Sequence, residues 1–210
     1  MRFYDKYILP SFLNCACGSK PILYQRGKVV PLAEGLVLEV GIGSGLNIPF
    51  YDAGKVEKVI GLDPSPELNA MAEKVVSKTA AENGLKVEII LGGAEAMPFP
   101  DDYFDSVVIT YTLCTIPDAA SANLEIRRVL KHGGKLIFCE HGLAPDAGVA
   151  KWQGRIDPFW GKMAGGCHLN RDIPELIVSA GFRFKTLDQM YLPSTPKFAG
   201  YNYWGVAVIA

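Results

Sequence analysis

Apolar residues along the chain fall into two periods. Short β-branched runs bounded by glycine or polar residues predict buried strands at Leu36–Val40, Val59–Leu62, Val87–Leu91, Asp105–Tyr111 and Lys135–Glu140. Helical spacing predicts helices at Glu67–Asn83, capped by Gly84, and at Ala119–Lys131, ended by Gly133 and Gly134. Asn47–Tyr51 is expected to open the first crossover helix. Alternating strand and helix imply a doubly wound parallel sheet, with ligands outside the strand carboxyl ends.

The last third reads differently. Ala150–Met163, with Trp152, Phe159 and Trp160, and Asp172–Ala180, ended by Gly181, are expected as helices. Phe182–Met190 and Tyr201–Ile209 then predict two strands that pair as an antiparallel edge hairpin, making seven strands in an α/β fold. Ahead of the sheet, Arg2–Lys20 carries Phe3, Tyr7, Ile8, Phe12 and Leu13 near helical spacing, interrupted by Pro10. Few basic residues accompany them, so a lid over the pocket is expected rather than a membrane-surface patch. One domain accounts for the chain: lid 1–33, ligand-binding core 34–141, helical insertion 142–181 and closing strands 182–210.

Composition narrows the partners. Hydrophobic residues make up 49% of 210 and charged residues 20%, with formal net charge -1, so the chain is globular. Lys and Arg form no clustered stripe, which argues against nucleic acid and for a small-molecule partner. No apolar run spans a bilayer and no signal peptide is evident, so a cytoplasmic protein without stable membrane insertion is expected, peripheral contact being left open. Cys15, Cys17, Cys114, Cys139 and Cys167 are an odd set that fits reduced thiols. Cys15-x-Cys17 is too tight for a zinc knuckle, so no metal site is expected.

The strongest chemical signal is LVLEVGIGSG at 36–45, followed by GLDP at 61–64. A strand breaks there into a loop of Gly41, Gly43 and Gly45 that lets backbone approach a ligand. A second strand ends in Asp63, whose carboxylate can accept both hydroxyls of a ribose. A dinucleotide fingerprint needs its third glycine at 46, where Leu46 stands, and no P-loop Lys-Ser/Thr follows. Glu39, an acid inside a buried strand, needs a ligand or a partner.

Glu39 with G-x-G-x-G resembles motif I of class I S-adenosylmethionine methyltransferases, a Rossmann-like fold whose glycine loop lies under the amino-acid part of the cofactor. GGAEAMPFPDDYFDSVV at 92–108 and EIRRVLKHGGKLIF at 125–138 resemble the type 11, ubiquinone and menaquinone methyltransferase-like, domain over residues 33–141. The resemblance implies S-adenosyl-L-methionine as cofactor. It places Glu39 and the three glycines near the methionine part, Asp63 and Pro64 at the ribose, and Thr110 at the end of the fourth strand. Gly93 replaces a frequent Asp, which leaves the adenine to Ala94 and Glu95. TLCTI at 112–116, CEH at 139–141, DPFW and GGCHLNRD at 165–172 resemble a methyltransferase-like subfamily whose animal members are membrane-associated thiol methyltransferases. The long apolar N-terminal anchor of those relatives is not seen, so membrane residence is not expected to carry over.

Methyl transfer is an in-line displacement that chiefly demands alignment. A thiol acceptor also needs help to ionise, since only a few per cent is thiolate at neutral pH. His141 and His168 are the candidates for a base or hydrogen-bond partner, whereas His132 beside the turn glycines reads as a surface residue. Tyr111, Trp152, Phe159 and Trp160 are the candidates for an apolar acceptor wall. The same walls suit an N-, O- or C-methylated amine or quinone precursor, and a non-catalytic cofactor-binding module remains the reading from another class.

Overall fold

The computed structural model describes residues 3–210; Arg2, at the start of the expected lid, lies outside them. A π-helical turn, Tyr4–Ile8, runs into α1 (Leu9–Cys17), and α2 (Lys20–Val29) follows after Gly18. The sheet comprises β1 (Gly35–Val40), β2 (Val56–Asp63), β3 (Val87–Leu91), β4 (Phe104–Thr110), β5 (Leu130–His141), β6 (Phe182–Tyr191) and β7 (Tyr201–Ile209). Its order is β3-β2-β1-β4-β5-β7-β6. The pairs among β1 to β5 are parallel, whereas β7 runs antiparallel to both β5 and β6. The seven strands and the antiparallel edge hairpin are those the apolar pattern predicts.

Strand alternation sends successive residues to opposite faces. On β1, Leu38 and Val40 join one core layer with α4 (Ala119–Val129) and α6 (Ile173–Ser179). Val37 joins the opposite layer, which Val29, Val30 and Ile48 complete and α3 (Pro66–Asn83) covers through Val75 and Val76. Asp118 caps α4 through Ser121 N, Asp172 caps α6 through Glu175 N, and Ser65 caps α3 through Leu68 N, each side chain satisfying an orphan helix donor. Gly84 ends α3 in the left-handed conformation.

Three expectations change. Gly133 and Gly134 do not end the helix at 119–131: α4 stops at Val129, and both glycines lie within β5, which starts at Leu130. Asn47–Tyr51 does not open a crossover helix: only a single 3₁₀ turn, Ile48–Phe50, stands between β1 and β2. Pro49 lies inside that turn, and the segment is occupied instead by side chains that brace the glycine loop. In α5 (Ala147–Met163), the buried side is polar: Gln153 binds Ala144 N, Gly142 O, Leu169 O and Phe198 O, and Asp157 takes Leu169 N. Trp152 and Phe159, seven residues apart on the opposite side, are 60% and 73% exposed. They line no wall of the cavity described below; Trp152 borders a separate surface groove with Val149, Ile156, Lys197 and Phe198.

Candidate active site

The loop after β1 is folded by its glycines and by Asp63. Gly41 N and Ile42 N both donate to Leu62 O, and Gly43 N donates to Asp63 Oδ2 at 3.0 Å. Gly41 has φ +72°, and a Cβ there would lie 2.2 Å from Thr112 Cγ2, so only glycine fits. Gly45 is restricted likewise, with φ +81° and Ala72 backbone 3.2 Å from its would-be Cβ.

Around this loop lies a cavity of two adjoining compartments. The larger, about 400 Å³, is walled by Pro64, Ser65, Gly92 to Glu95, Ile116 and Pro117; the smaller, about 110 Å³, by Gly43, Ser44, Leu46, Arg26, Thr110 and Tyr111. Leu13, Gly41, Asp63, Leu68, Thr112 and Thr115 belong to both. Helix α1 covers them with Leu9, Pro10, Leu13, Asn14 and Cys17, and Asn14 Oδ1 accepts from Ser44 Oγ at 2.6 Å. Gly41, Gly43, Asp63, Pro64, Ala94, Glu95, Thr110 and Tyr111 all border this cavity, at the strand carboxyl ends.

Asp63 faces the shared region. Oδ1 accepts from Ser65 N at 2.8 Å, and burial raises its carboxyl above the usual range against these backbone bonds. Each oxygen keeps a lone pair for a ligand hydroxyl. In the larger compartment, Glu95 Oε2 lies 3.1 Å from where a Cβ on Gly93 would stand. The carboxylate that the sequence lacks at 93 is therefore approached from 95.

Glu39 is placed differently from the loop it precedes. It is 1% exposed and forms no cavity wall; Asn47 Nδ2 donates to Oε1 at 2.9 Å and Tyr51 Oη to Oε2 at 2.7 Å. Burial pushes its carboxyl up to about 7 despite those bonds. Gly45 likewise shapes the loop from behind, without lining the cavity.

Arg26, on α2, was not singled out by the sequence. It is 5% exposed, Nη1 donates to Asn47 Oδ1 and Thr110 Oγ1, and the guanidinium stacks 5.1 Å from the Tyr111 ring centroid. Among the described residues it has no carboxylate partner within ion-pair distance. A buried cation without a counter-charge calls for an anionic ligand. The clue in the sequence is an arginine inside an otherwise weakly patterned segment ahead of the first strand.

Beside the smaller compartment, the ends of β4 and β5 bring further groups together. Tyr111, at φ +53°, donates to Asn202 Oδ1 and receives the Cys139 thiol. Glu140 accepts from Thr112 N and Leu113 N, and burial pushes it up to about 7. His141 Nε2 lies 3.3 Å from Cys167 Sγ. The hydrogen bond from Cys114, and then His141, pull the Cys167 thiol below its usual range against burial. Burial alone would lower His141, but the Cys167 bond and charge outweigh it and raise the imidazole. Trp160 packs on Cys114 and Cys167. His168 is not a cavity wall: Nδ1 meets Asp157 Oδ2 at 2.8 Å, and its backbone N–H binds Cys114 O, so it anchors the 165–172 loop.

A seven-stranded sheet with β7 reversed, a glycine loop after β1 and an acid ending β2 on a cavity of this shape define a class I S-adenosylmethionine-dependent methyltransferase. The methyltransferase domain model matches residues 38–138. Thiol S-methyltransferase TMT1B of Rattus norvegicus is 35% identical over 176 residues, 80% of this chain and 70% of the relative. Human thiol S-methyltransferase TMT1A is 32% identical over 183 residues, 85% and 72% of the two chains. A solved SAM-dependent methyltransferase of Methanosarcina mazei superposes with TM-score 0.69 at 21% identity, covering 91% of this chain and 98% of that one. The chain belongs to the methyltransferase family that includes the thiol S-methyltransferases TMT1A and TMT1B. Among the described residues, no helix is long and apolar enough to cross a membrane.

Proposed function

We propose that this methyltransferase transfers the methyl group of S-adenosylmethionine to the sulfur of a small, rather apolar thiol. The observation that carries this reading is the identity of 32–35% with thiol S-methyltransferases over most of the chain.

The residues fit the cofactor. When bound, it supplies a methyl group on a positively charged sulfur. Arg26 takes the methionine carboxylate, with Thr110 and Asn47 holding the guanidinium. Glu39 fixes Asn47 and Tyr51, and so the loop of Gly41, Gly43 and Gly45, from behind. Asp63, beside Pro64, accepts the ribose hydroxyls, and Ala94 and Glu95 border the adenine. Helix α1 acts as a lid over both compartments, ahead of a cofactor core at 34–141, an acceptor-side insertion at 142–181 and closing strands at 182–210. Tyr111 and Cys17 shape the acceptor side; Trp160, expected as a wall, lines neither compartment and packs behind against Cys114 and Cys167, and His141, also off the walls, supports ionisation of the acceptor. The free cysteines support a cytoplasmic setting, and the scattered Lys and Arg support a small-molecule partner.

Labelled cofactor offered with alkyl thiols, amines and phenols tests the reading. Label is expected on thiols; turnover of amines or phenols with none of thiols would reject it.

A further inference from the structure

Cys114, His141 and Cys167 are the one group of three potential metal ligands found among the described residues, their donor atoms all within 4.8 Å of one another. They come from the turn after β4, the end of β5 and the loop after α5, so no spacing in the sequence announces them. In a tetrahedral zinc site, sulfur lies about 2.3 Å and nitrogen about 2.0–2.1 Å from the metal, which separates ligand atoms by roughly 3.5–3.8 Å. The 3.3 Å between Cys167 Sγ and His141 Nε2 is already close to that edge, and the widest separation exceeds it by about 1 Å.

The donor types select the metal. Two sulfurs and an imidazole suit zinc and disfavour magnesium or calcium, which take oxygen. The surroundings also suit an anionic sulfur: Trp160 packs against the cluster of Cys114, Ala164 and Cys167, with its buried indole N–H turned to the Cys167 sulfur. An indole N–H there can donate to a metal-bound thiolate. Thr115, next to Cys114, and Gly165, two residues before Cys167, are walls of the cofactor cavity. Cys114 Sγ also donates to Tyr111 O, and Tyr111 is a wall of the smaller compartment, so the cluster lies directly behind that wall.

We propose that Cys114, His141 and Cys167 bind one zinc ion and leave its fourth position to the acceptor's sulfur, an inference that rests on the thiol reading above. On entering that position the acceptor's S–H gives its proton to solvent, because a coordinated thiol is deprotonated. A sulfur lone pair then forms the new S–C bond while the cofactor's C–S⁺ bond breaks, its electron pair remaining on the cofactor sulfur. The neutral thioether is a poorer ligand than the thiolate and leaves.

The reduced full chain, purified without a metal-affinity tag, is expected to carry stoichiometric zinc by mass spectrometry. It should exchange it for cobalt with the absorption bands of tetrahedral thiolate coordination, and butanethiol but not butanol should shift those bands. Cys114→Ser, Cys167→Ser and His141→Asn should lose the metal, Trp160→Phe should weaken it about 10-fold, and Cys15→Ser and Cys17→Ser should keep it. Where a cluster variant fails to fold, alkylation of the wild-type chain decides: zinc should protect Cys114 and Cys167 relative to chelator-stripped protein. Wild-type protein that takes up neither metal, metal kept by the cluster variants, metal lost from Cys17→Ser, unprotected cysteines or cobalt bands that ignore butanethiol would each overturn the proposal. Thiol methylation by metal-free protein overturns the zinc site and leaves the function standing. Metal and thiol binding without thiol methylation would do the reverse.

Discussion

Replacing Arg26 by methionine removes the buried charge, and with it the guanidinium stacked on Tyr111, but keeps most of the apolar stem. Two bonds inside the protein go with it, those to Asn47 and Thr110. At about 1 kcal/mol each they would cost stability, but relief of a buried, unpaired cation offsets this, so the fold is expected to persist. The ligand-dependent share is different. Truncating one member of a buried, hydrogen-bonded charge pair costs about 2–5 kcal/mol, which at about 1.4 kcal/mol per decade is roughly 30-fold to several thousand-fold in Kd. Calorimetry with S-adenosylhomocysteine and with its decarboxylated analogue, on both chains, isolates that share as a double-mutant cycle. Wild-type protein should prefer the carboxylated ligand, and Arg26→Met should lose most of that preference. Equal losses for the two ligands would show that Arg26 acts only through Asn47 and Thr110, and the assignment of the carboxylate to it would fall.

Glu39 makes the fold pH-sensitive. Its carboxyl is raised from 4.5 to about 7, so between those values the native state holds a proton that the unfolded chain has released. Its contribution to stability therefore falls as pH rises through that window, by up to about 1.4 kcal/mol per unit. Glu140, also pushed up to about 7 by burial, contributes a slope of the same sign, so Glu39→Gln should reduce the pH dependence in urea titrations at pH 5, 6 and 7 without abolishing it; parallel curves for the two chains would contradict the burial argument. Asp63→Ala should weaken S-adenosylhomocysteine by about 1–3 kcal/mol through lost charged hydrogen bonds, and unchanged calorimetric affinity would take Asp63 out of the site. Gly41→Ala should cost about 2–5 kcal/mol in urea unfolding from left-handed strain and the Thr112 clash. Thr112→Ala in the same chain should return only part of it, because the strain at φ +72° remains; complete recovery would show the clash to be the whole cost.

The strands were legible because each is a short β-branched run with a polar or glycine boundary, and that pattern survives whatever packs on it. The glycine loop and Asp63 were legible for a related reason: positive φ and close approach leave few residue choices. Long-range polar placement was not. Arg26 meets Thr110 across 84 positions, and Cys167 meets His141 across 26, distances over which periodicity carries no information. Helix α5 misled for a physical reason: Gln153 and Asp157 satisfy backbone groups of three segments, at 142–144, 169 and 198, and therefore face inward, which turns Trp152 and Phe159 to solvent. A hydrophobicity rule assigns the faces of that helix the wrong way round.

Strand β7 follows the other six in the chain yet lies between β5 and β6. Asn202 on it takes the Tyr111 hydroxyl, and Tyr203 donates to Leu143 O. Until β7 docks, β5 keeps one edge open, β6 lacks a sheet neighbour and the wall that holds Tyr111 is unmade. A chain folded only as far as β6 would hold every cofactor-binding motif and no finished site to use them.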